Sequence, residues 1–311
     1  MNALEVRNLS KSFGDLRAVD NVSFIVPEGS VFGLIGRNGA GKTTTIRMMM
    51  NIYLPDSGEV LLQGNKIGAD FKNKVGYLPE ERGLYKKMKV LETLLYFAEI
   101  KGKSGAALEK KALEYLGKFQ LLDRKNSKIE DLSKGNQQKI QFISTILHDP
   151  DFVILDEPFS GLDPVNTNTL KEIILELKNR GKVIILSTHL MDFAEKMCDH
   201  LAMIEKGKII LNGALSDIKT HYAQKNVSIN YEGSLAFLKD NPLIETIEDF
   251  GNSAGIRLKN AKDSRELLKT IVEHDVDVKK YALNEISLHE IFIEIAGNRV
   301  EGIEMEGAYV K

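Results

Sequence analysis

The sequence predicts an α/β protein: a three-layer core around a mostly parallel sheet, with an antiparallel β subdomain, an inserted helical subdomain and a small α+β C-terminal domain. Three observations carry that prediction. Val31 to Ile35, Phe152 to Leu155 and Val183 to Leu186 are unbroken apolar runs of strand length, the mark of strands buried on both faces. Segments with apolar residues at helical spacing separate the runs. After residue 226 the order reads β-α-β-β-α-β-α, that of a ferredoxin-like unit.

Residues 1 to 30 alternate apolar and polar, with turn residues at Asn8, Gly14, Asp20 and Pro27-Glu28-Gly29, and read as antiparallel strands. A Gly-rich turn follows Val31 to Ile35, then a helix from Thr43 to Met50. Leu54 to Gly64 returns to strand and turn chemistry. In the block 85–150, Leu91, Leu94, Leu95 and Ala98, then Leu108, Ala112, Tyr115, Leu116 and Phe119, fall at helical spacing. A further helix is expected from Gln137 to His148, and another from Thr169 to Arg180.

A more polar stretch at 212–226 divides a domain over residues 1–220 from one over 221–311. In the second, strands are expected at Val227 to Tyr231, Ile244 to Phe250, Ile256 to Leu258 and Val276 to Ala282, with helices at Leu235 to Lys239 and Ser264 to Glu273. A final helix opens on Ser287-Leu288-His289-Glu290, a capping box, and carries Ile291, Phe292 and Ile295. The last dozen residues read as a loose tail.

Bulk properties exclude several classes. With 43% hydrophobic and 28% charged residues in 311, the composition is that of a soluble globular chain. A net charge of −2, with Lys and Arg dispersed, offers no field for nucleic acid. Cys198 is the one cysteine; it follows an apolar helical stretch around Phe193 and Met197 and is expected to be a buried structural thiol. The N-terminus lacks the basic start and apolar block of a signal peptide, and no run reaches membrane-spanning length, so any membrane role is expected to be peripheral.

Gly36-Arg37-Asn38-Gly39-Ala40-Gly41-Lys42-Thr43 fits the G-x-x-x-x-G-K-[ST] phosphate loop, between an expected strand and an expected helix, and points to a P-loop NTPase core. The glycines let backbone N–H groups wrap the phosphates, and the helix N-terminus adds positive potential. Lys42 is placed to reach the β- and γ-phosphates and the Thr43 hydroxyl to ligate Mg²⁺; Thr44 follows in the first helical turn.

Phe152-Val153-Ile154-Leu155 ends in Asp156-Glu157. An apolar strand delivers Asp156 at its C-terminal end, where open α/β sheets hold ligands, and suits it to Mg²⁺. Glu157, one residue on, is suited to general base for an attacking water.

With these residues in place the sequence resembles the ABC-type ATPases, over residues 1 to about 215. Ser160-Gly161-Leu162-Asp163 resembles that family's D-loop, and Ser187-Thr188-His189 its switch-histidine segment. Leu132-Ser133-Lys134-Gly135-Asn136-Gln137-Gln138 resembles its signature, and Phe13 stands where an aromatic ring stacks on adenine. The resemblance implies ATP and Mg²⁺ held between two ATPase subunits, a homodimer or heterodimer, packed head to tail. Ser133 and Gly135 of one would meet the γ-phosphate on the phosphate loop of the other, with Asp163 at the joint and His189 positioning the water. It also implies separate transmembrane permease subunits and a place on the cytoplasmic face of the cell membrane.

The departures from the family pattern are Lys134 and Asn136 in the signature, and Glu80 where the Q-loop has glutamine, still able to ligate Mg²⁺. Near it, Leu84, Tyr85 and Met88 are either a permease contact or internal packing. The strings Leu78-Pro79-Glu80-Glu81-Arg82-Gly83-Leu84-Tyr85 and Leu132 to Lys139 resemble the branch that serves exporters of sodium, drugs or antibiotics. So does the C-terminal segment Ile286 to Phe292, with dimer stabilisation or ligand sensing as the role of its domain. The competing reading is a soluble ABC ATPase acting on ribosomes or nucleic acid, which usually has two cassettes or a long coiled-coil insertion. A metabolic kinase would need the phosphate loop but neither signature nor switch histidine.

Overall fold

In the computed structural model, residues 2–67, 71–81, 83–223, 226–274, 276–283 and 287–300 are described, and the expected tail, Arg82 and Ile286 lie outside them. Two units divide between Asn212 and Gly213.

The first unit opens with β1 (Asn2–Phe13) and β2 (Leu16–Pro27), paired antiparallel across a turn at Gly14. The turns expected at Asn8 and Asp20 are instead irregularities inside continuous strands. Asn8 and Asn21 take left-handed backbone at φ 49 and 54, and the register shifts between Val6 and Leu9. Asn tolerates that conformation, and Ser23 Oγ accepts the Asn8 N–H at 2.8 Å, replacing the lost ladder bond.

Next come β3 (Val31–Ile35), α1 (Lys42–Met49), β4 (Ser57–Leu62), β5 (Asn65–Lys66), α2 (Phe71–Lys74) and β6 (Val75–Leu78). The helical insertion holds α3 (Val90–Ile100), α4 (Ala106–Lys118) and α5 (Lys134–Ile146). Then follow β7 (Phe152–Asp156), α6 (Pro164–Asn179), β8 (Val183–Thr188), α7 (Met191–Met197), β9 (His200–Glu205) and β10 (Lys208–Ala214).

One sheet has the order β2-β1-β4-β5 and the other β10-β9-β3-β8-β7-β6, parallel from β9 to β6. Every residue of β3, β7 and β8 is buried, which is why these strands do not alternate. Phe32, Leu34, Ile154 and Ile185 pack with Ile46 and Met49 of α1, each contributing about 1.5–3 kcal/mol by leaving water.

Two helices begin earlier than the sequence reading places them. α5 starts at Lys134 rather than Gln137, because Ser133 is its N-cap and accepts the Asn136 N–H at 3.3 Å. α6 starts at Pro164 rather than Thr169: Asp163 is the N-cap, with proline in the first turn.

The second unit holds α8 (Leu215–Ala223), β11 (Asn226–Glu232), β12 (Ile244–Asp249), β13 (Ser253–Leu258), α9 (Ser264–Glu273), β14 (Asp277–Leu283) and α10 (Leu288–Val300). Its sheet is antiparallel in the order β12-β13-β11-β14, the ferredoxin-like arrangement. Val227, Ile229, Ile256 and Leu258 pack against Leu267 and Ile271 of α9. The helix expected at Leu235 to Lys239 is one 3-10 turn, Ala236–Leu238, and α8 lies in the stretch read as polar linker. The capping box of α10 forms: Ser287 N–H donates to Glu290 Oε2 at 2.8 Å, and Glu290 N–H to Ser287 Oγ at 3.2 Å. Among the described residues no helix is long and apolar enough to cross a membrane.

Candidate active site

The phosphate loop leaves β3 at Gly36, whose N–H donates to Thr188 O at 3.3 Å and so ties the loop to the end of β8. Gly41 holds φ 108, and a Cβ there would stand 2.5 Å from Ala18 O; a Cβ at Gly36 would fall 2.2 Å from Ile204 O. Only glycine allows the loop to lie this close to its neighbours. No side chain caps α1, so its first-turn N–H groups stay available to an anion. Lys42 is buried, and its Nζ donates to Gly36 O at 2.8 Å and Arg37 O at 3.3 Å. It also pairs with Glu157 Oε1 at 3.2 Å, off the hydrogen-bonding direction.

The β7–β8 register sets Asp156 opposite Ser187. Ser187 Oγ donates to Asp156 Oδ1 and accepts the Glu157 N–H at 3.1 Å, while Thr43 Oγ1 donates to the same Oδ1 at 3.3 Å. Asp156 is fully buried and its Oδ2 has no hydrogen-bond partner. Burial pushes its carboxyl up from the ordinary value and nearby Glu157 adds to this, while the Ser187 and Thr43 hydroxyls oppose it. A hydroxyl and a carboxylate with one orphaned oxygen fit a hard divalent cation such as Mg²⁺, which takes few protein oxygens and completes its shell with phosphate and water. Among the described residues no group of three or more His, Cys, Asp or Glu could hold a metal ion, and a site of this kind needs none.

Glu157 sits at φ 50, a left-handed conformation uncommon outside glycine. The chain turns sharply off the strand there, and the carboxylate meets both Lys42 and His189, whose Nδ1 lies 3.0 Å from Glu157 Oε2. Strain of this kind costs of order 1 kcal/mol and collects at functional sites.

These groups border a cleft of about 640 Å³ lined by Phe13, Asn38, Gly39, Ala40, Gly41, Lys42, Thr43, Thr44, Glu80 and Glu157. Phe13 stands at its rim, exposed and edge-on to Tyr53 at a centroid distance of 5.5 Å. Gly36, Arg37, Asp156 and His189 are not among the lining residues but contact them: Gly36 and Arg37 through Lys42, Asp156 through Thr43, and His189 through Glu157. Ser133, Gly135 and Asp163 are not among the lining residues. They neighbour one another elsewhere: a Cβ on Gly135 would stand 3.2 Å from Gly161 O, between the two capped helix starts.

Several contributors escaped sequence reasoning. Ser187 was visible only as part of a motif, because its partner depends on the pairing of β7 with β8. Gln141 Nε2 donates to Glu81 O at 3.1 Å and holds the segment carrying Glu80; a polar residue on the buried face of α5 was the available signal. Gly207, after β9, closes the cleft wall: its N–H donates to Ala40 O at 2.9 Å and its carbonyl accepts the Asp20 N–H at 2.8 Å. Cys198 is buried, and burial pushes its thiol up to about 12, an inert group outside the site.

Residues 19–160 match the ABC transporter family model, and residues 213–296 match the C-terminal domain of DrrA1-3-like ATP-binding proteins. The ABC transporter ATP-binding protein YhaQ of Bacillus subtilis strain 168 is 43% identical, over 94% of this chain and 98% of its own length. The Nod factor export ATP-binding protein I of Cupriavidus metallidurans is 32% identical, over 96% of this chain and 98% of its own. A solved ATP-binding subunit of an ABC transporter superposes with a TM-score of 0.66 at 34% identity, over 71% of this chain and 93% of that one. Kinship that runs almost end to end and covers both units leaves one reading: the chain belongs to the ABC transporter ATP-binding proteins, and it is an ATPase.

Proposed function

We propose that two such subunits close head to tail on ATP and Mg²⁺, and that closing and reopening drive a separate membrane permease in export. One observation carries the proposal. Ser133 and Gly135, at the start of α5, stand apart from the cleft that would hold the nucleotide in the same chain. A second copy can bring its own pair, and its own helix N-terminus, to the γ-phosphate.

Within the cleft, Phe13 would stack on adenine and the N–H groups of residues 38–44 would cradle the phosphates. Lys42 would exchange Glu157 for the β- and γ-phosphates, one anionic partner for another. That exchange leaves Glu157 to take the proton of the attacking water, with His189 holding its carboxylate. As water bonds to the γ-phosphorus, the bond to the leaving ADP oxygen breaks. Thr43 and Asp156, with Glu80 at the cleft edge, would hold Mg²⁺, which would supply neutralising charge to the phosphates.

The permease contact would lie where the Glu80 segment leaves the cleft. Ile52, Leu84 and Phe97 line a groove of about 360 Å³, and exposed Tyr85 stacks on Phe97 with centroids 6.0 Å apart. Closure around ATP would reach this groove through Glu80 to Tyr85, and the chain would sit peripherally on the cytoplasmic face of the membrane. The export direction rests on relatives named for Nod factor export and linearmycin resistance.

Glu157→Gln is expected to bind ATP, lose turnover and elute as an ATP-dependent dimer in size-exclusion chromatography. Turnover at the wild-type rate would remove Glu157 as the base, and an ATP-loaded monomer would remove the closed pair.

A further inference from the structure

A small aromatic assembly lies beside the site and outside the cleft lining. Phe159, two residues past Glu157, stacks on Phe193 of α7 with centroids 4.8 Å apart and planes 16° from parallel. Lys171 Nζ, from α6, lies 4.5 Å from the centroid of the same Phe193 ring. Phe159 is buried and Phe193 half-buried.

The chain path gives this contact its meaning. Phe159 directly precedes the segment Ser160 to Asp163 and α6 follows it, so one residue on each side, Phe159 and, two turns into α6, Lys171, meets the same ring of α7. The start of α7 is itself tied to β8, since Leu190 N–H donates to Thr188 Oγ1 at 3.0 Å and Phe193 N–H to Leu190 O at 3.2 Å. His189 sits in that bend and meets Glu157 at 3.0 Å. The Glu157–Phe159 segment and the His189–Phe193 segment are therefore joined twice, once by a polar contact between reacting groups and once by stacked rings. A single hydrogen bond leaves two side chains free to pivot about it; a second, rigid contact removes that freedom. Offset-stacked rings and an ammonium over a ring face are both favourable and directional.

We propose that Phe193 is a positioning residue for hydrolysis: its stack on Phe159 fixes Glu157 against His189 and sets the reach of Ser160 to Asp163 toward a partner subunit. The inference rests on the reading of Glu157 and His189 as the hydrolytic pair. Its reaction-level consequence is specific. Nucleotide binding depends on the phosphate loop and Phe13, which the assembly does not touch, whereas turnover depends on the alignment that it controls. Misplacing a catalytic group by about 1 Å can cost up to roughly a hundredfold in rate.

The test is steady-state ATPase kinetics on the full chain, with thermal unfolding measured alongside. Phe193→Ala is expected to lower kcat about tenfold or more while KM for ATP stays within about twofold. Phe193→Tyr, which keeps the stack, is expected to restore kcat. Phe193→Leu keeps apolar volume without a ring; it is expected to remain slow, and it carries the test if the alanine variant does not fold. Wild-type kcat in Phe193→Ala, a parallel loss of kcat and ATP affinity, or rescue by Leu as full as by Tyr would each overturn the proposal. His189→Ala and Glu157→Gln run in the same assay separate the two levels. If both are inactive while Phe193→Ala is normal, only the positioning role fails. If both turn over normally, the hydrolytic reading fails and the positioning role with it.

Discussion

A single ammonium joins the two halves of the site. Lys42, itself buried, holds the loop carbonyls of Gly36 and Arg37 on one side and the buried Glu157 carboxylate on the other. Charge-assisted contacts of this kind are worth about 1.5–3 kcal/mol each. Lys42→Ala is therefore expected to weaken nucleotide binding by roughly tenfold to a hundredfold, read by isothermal titration with a non-hydrolysed ATP analogue. Unchanged affinity would detach the loop from nucleotide binding. At this scale the sequence was most informative about backbone-encoded chemistry: the phosphate loop and the acid pair are contiguous in the chain. Ser187 and Gln141 were not legible as site residues, because each acts on a group brought near only by strand pairing or helix packing.

Elements were read well where burial was uniform and poorly where a cap decided the boundary. β3, β7 and β8 announced themselves as apolar runs, whereas β6, β9 and β10 were missed; β6 is interrupted by Gly76, and β9 and β10 flank a tight turn. Ser133 and Asp163 drew notice as motif residues, yet structurally each opens a helix. Asp163 accepts the Asn166 N–H at 3.0 Å, and that bond, with the Asn166 side-chain amide, holds its carboxyl below its ordinary value. The sign follows from linkage. The cap stabilises fully above the unfolded aspartate pKa, about 4, and its contribution is lost as pH falls through the lower folded value. Asp163→Ala should thus be less stable than wild type by a constant amount from about pH 7 to 5, and the gap should narrow below about pH 4. Urea denaturation across that pH series checks it; a gap that widens in acid would contradict the cap.

At the scale of the molecule, each unit has its own β structure, two sheets in the first and one in the second, and its own hydrophobic core, and each matches its own family model. A fragment ending at Asn212 is expected to keep nucleotide affinity close to that of the full chain, and the segment from Gly213 onward to unfold cooperatively by itself, measured by titration and circular dichroism. A structureless C-terminal fragment would mean that its core needs the rest of the chain. The strand order β10-β9-β3-β8-β7-β6 also bears on how the protein is born. When the ribosome has polymerised through Glu157, the phosphate loop and both acids already exist, but β3 and β7 are not neighbours; the strand that belongs between them, Val183–Thr188, has yet to be made. For the time taken to add about thirty residues, on the order of a few seconds, the nascent chain carries two greasy ribbons flanking an unfilled slot. Such unpaired edges invite foreign strands, so this interval is where the newborn protein most needs a chaperone or swift elongation.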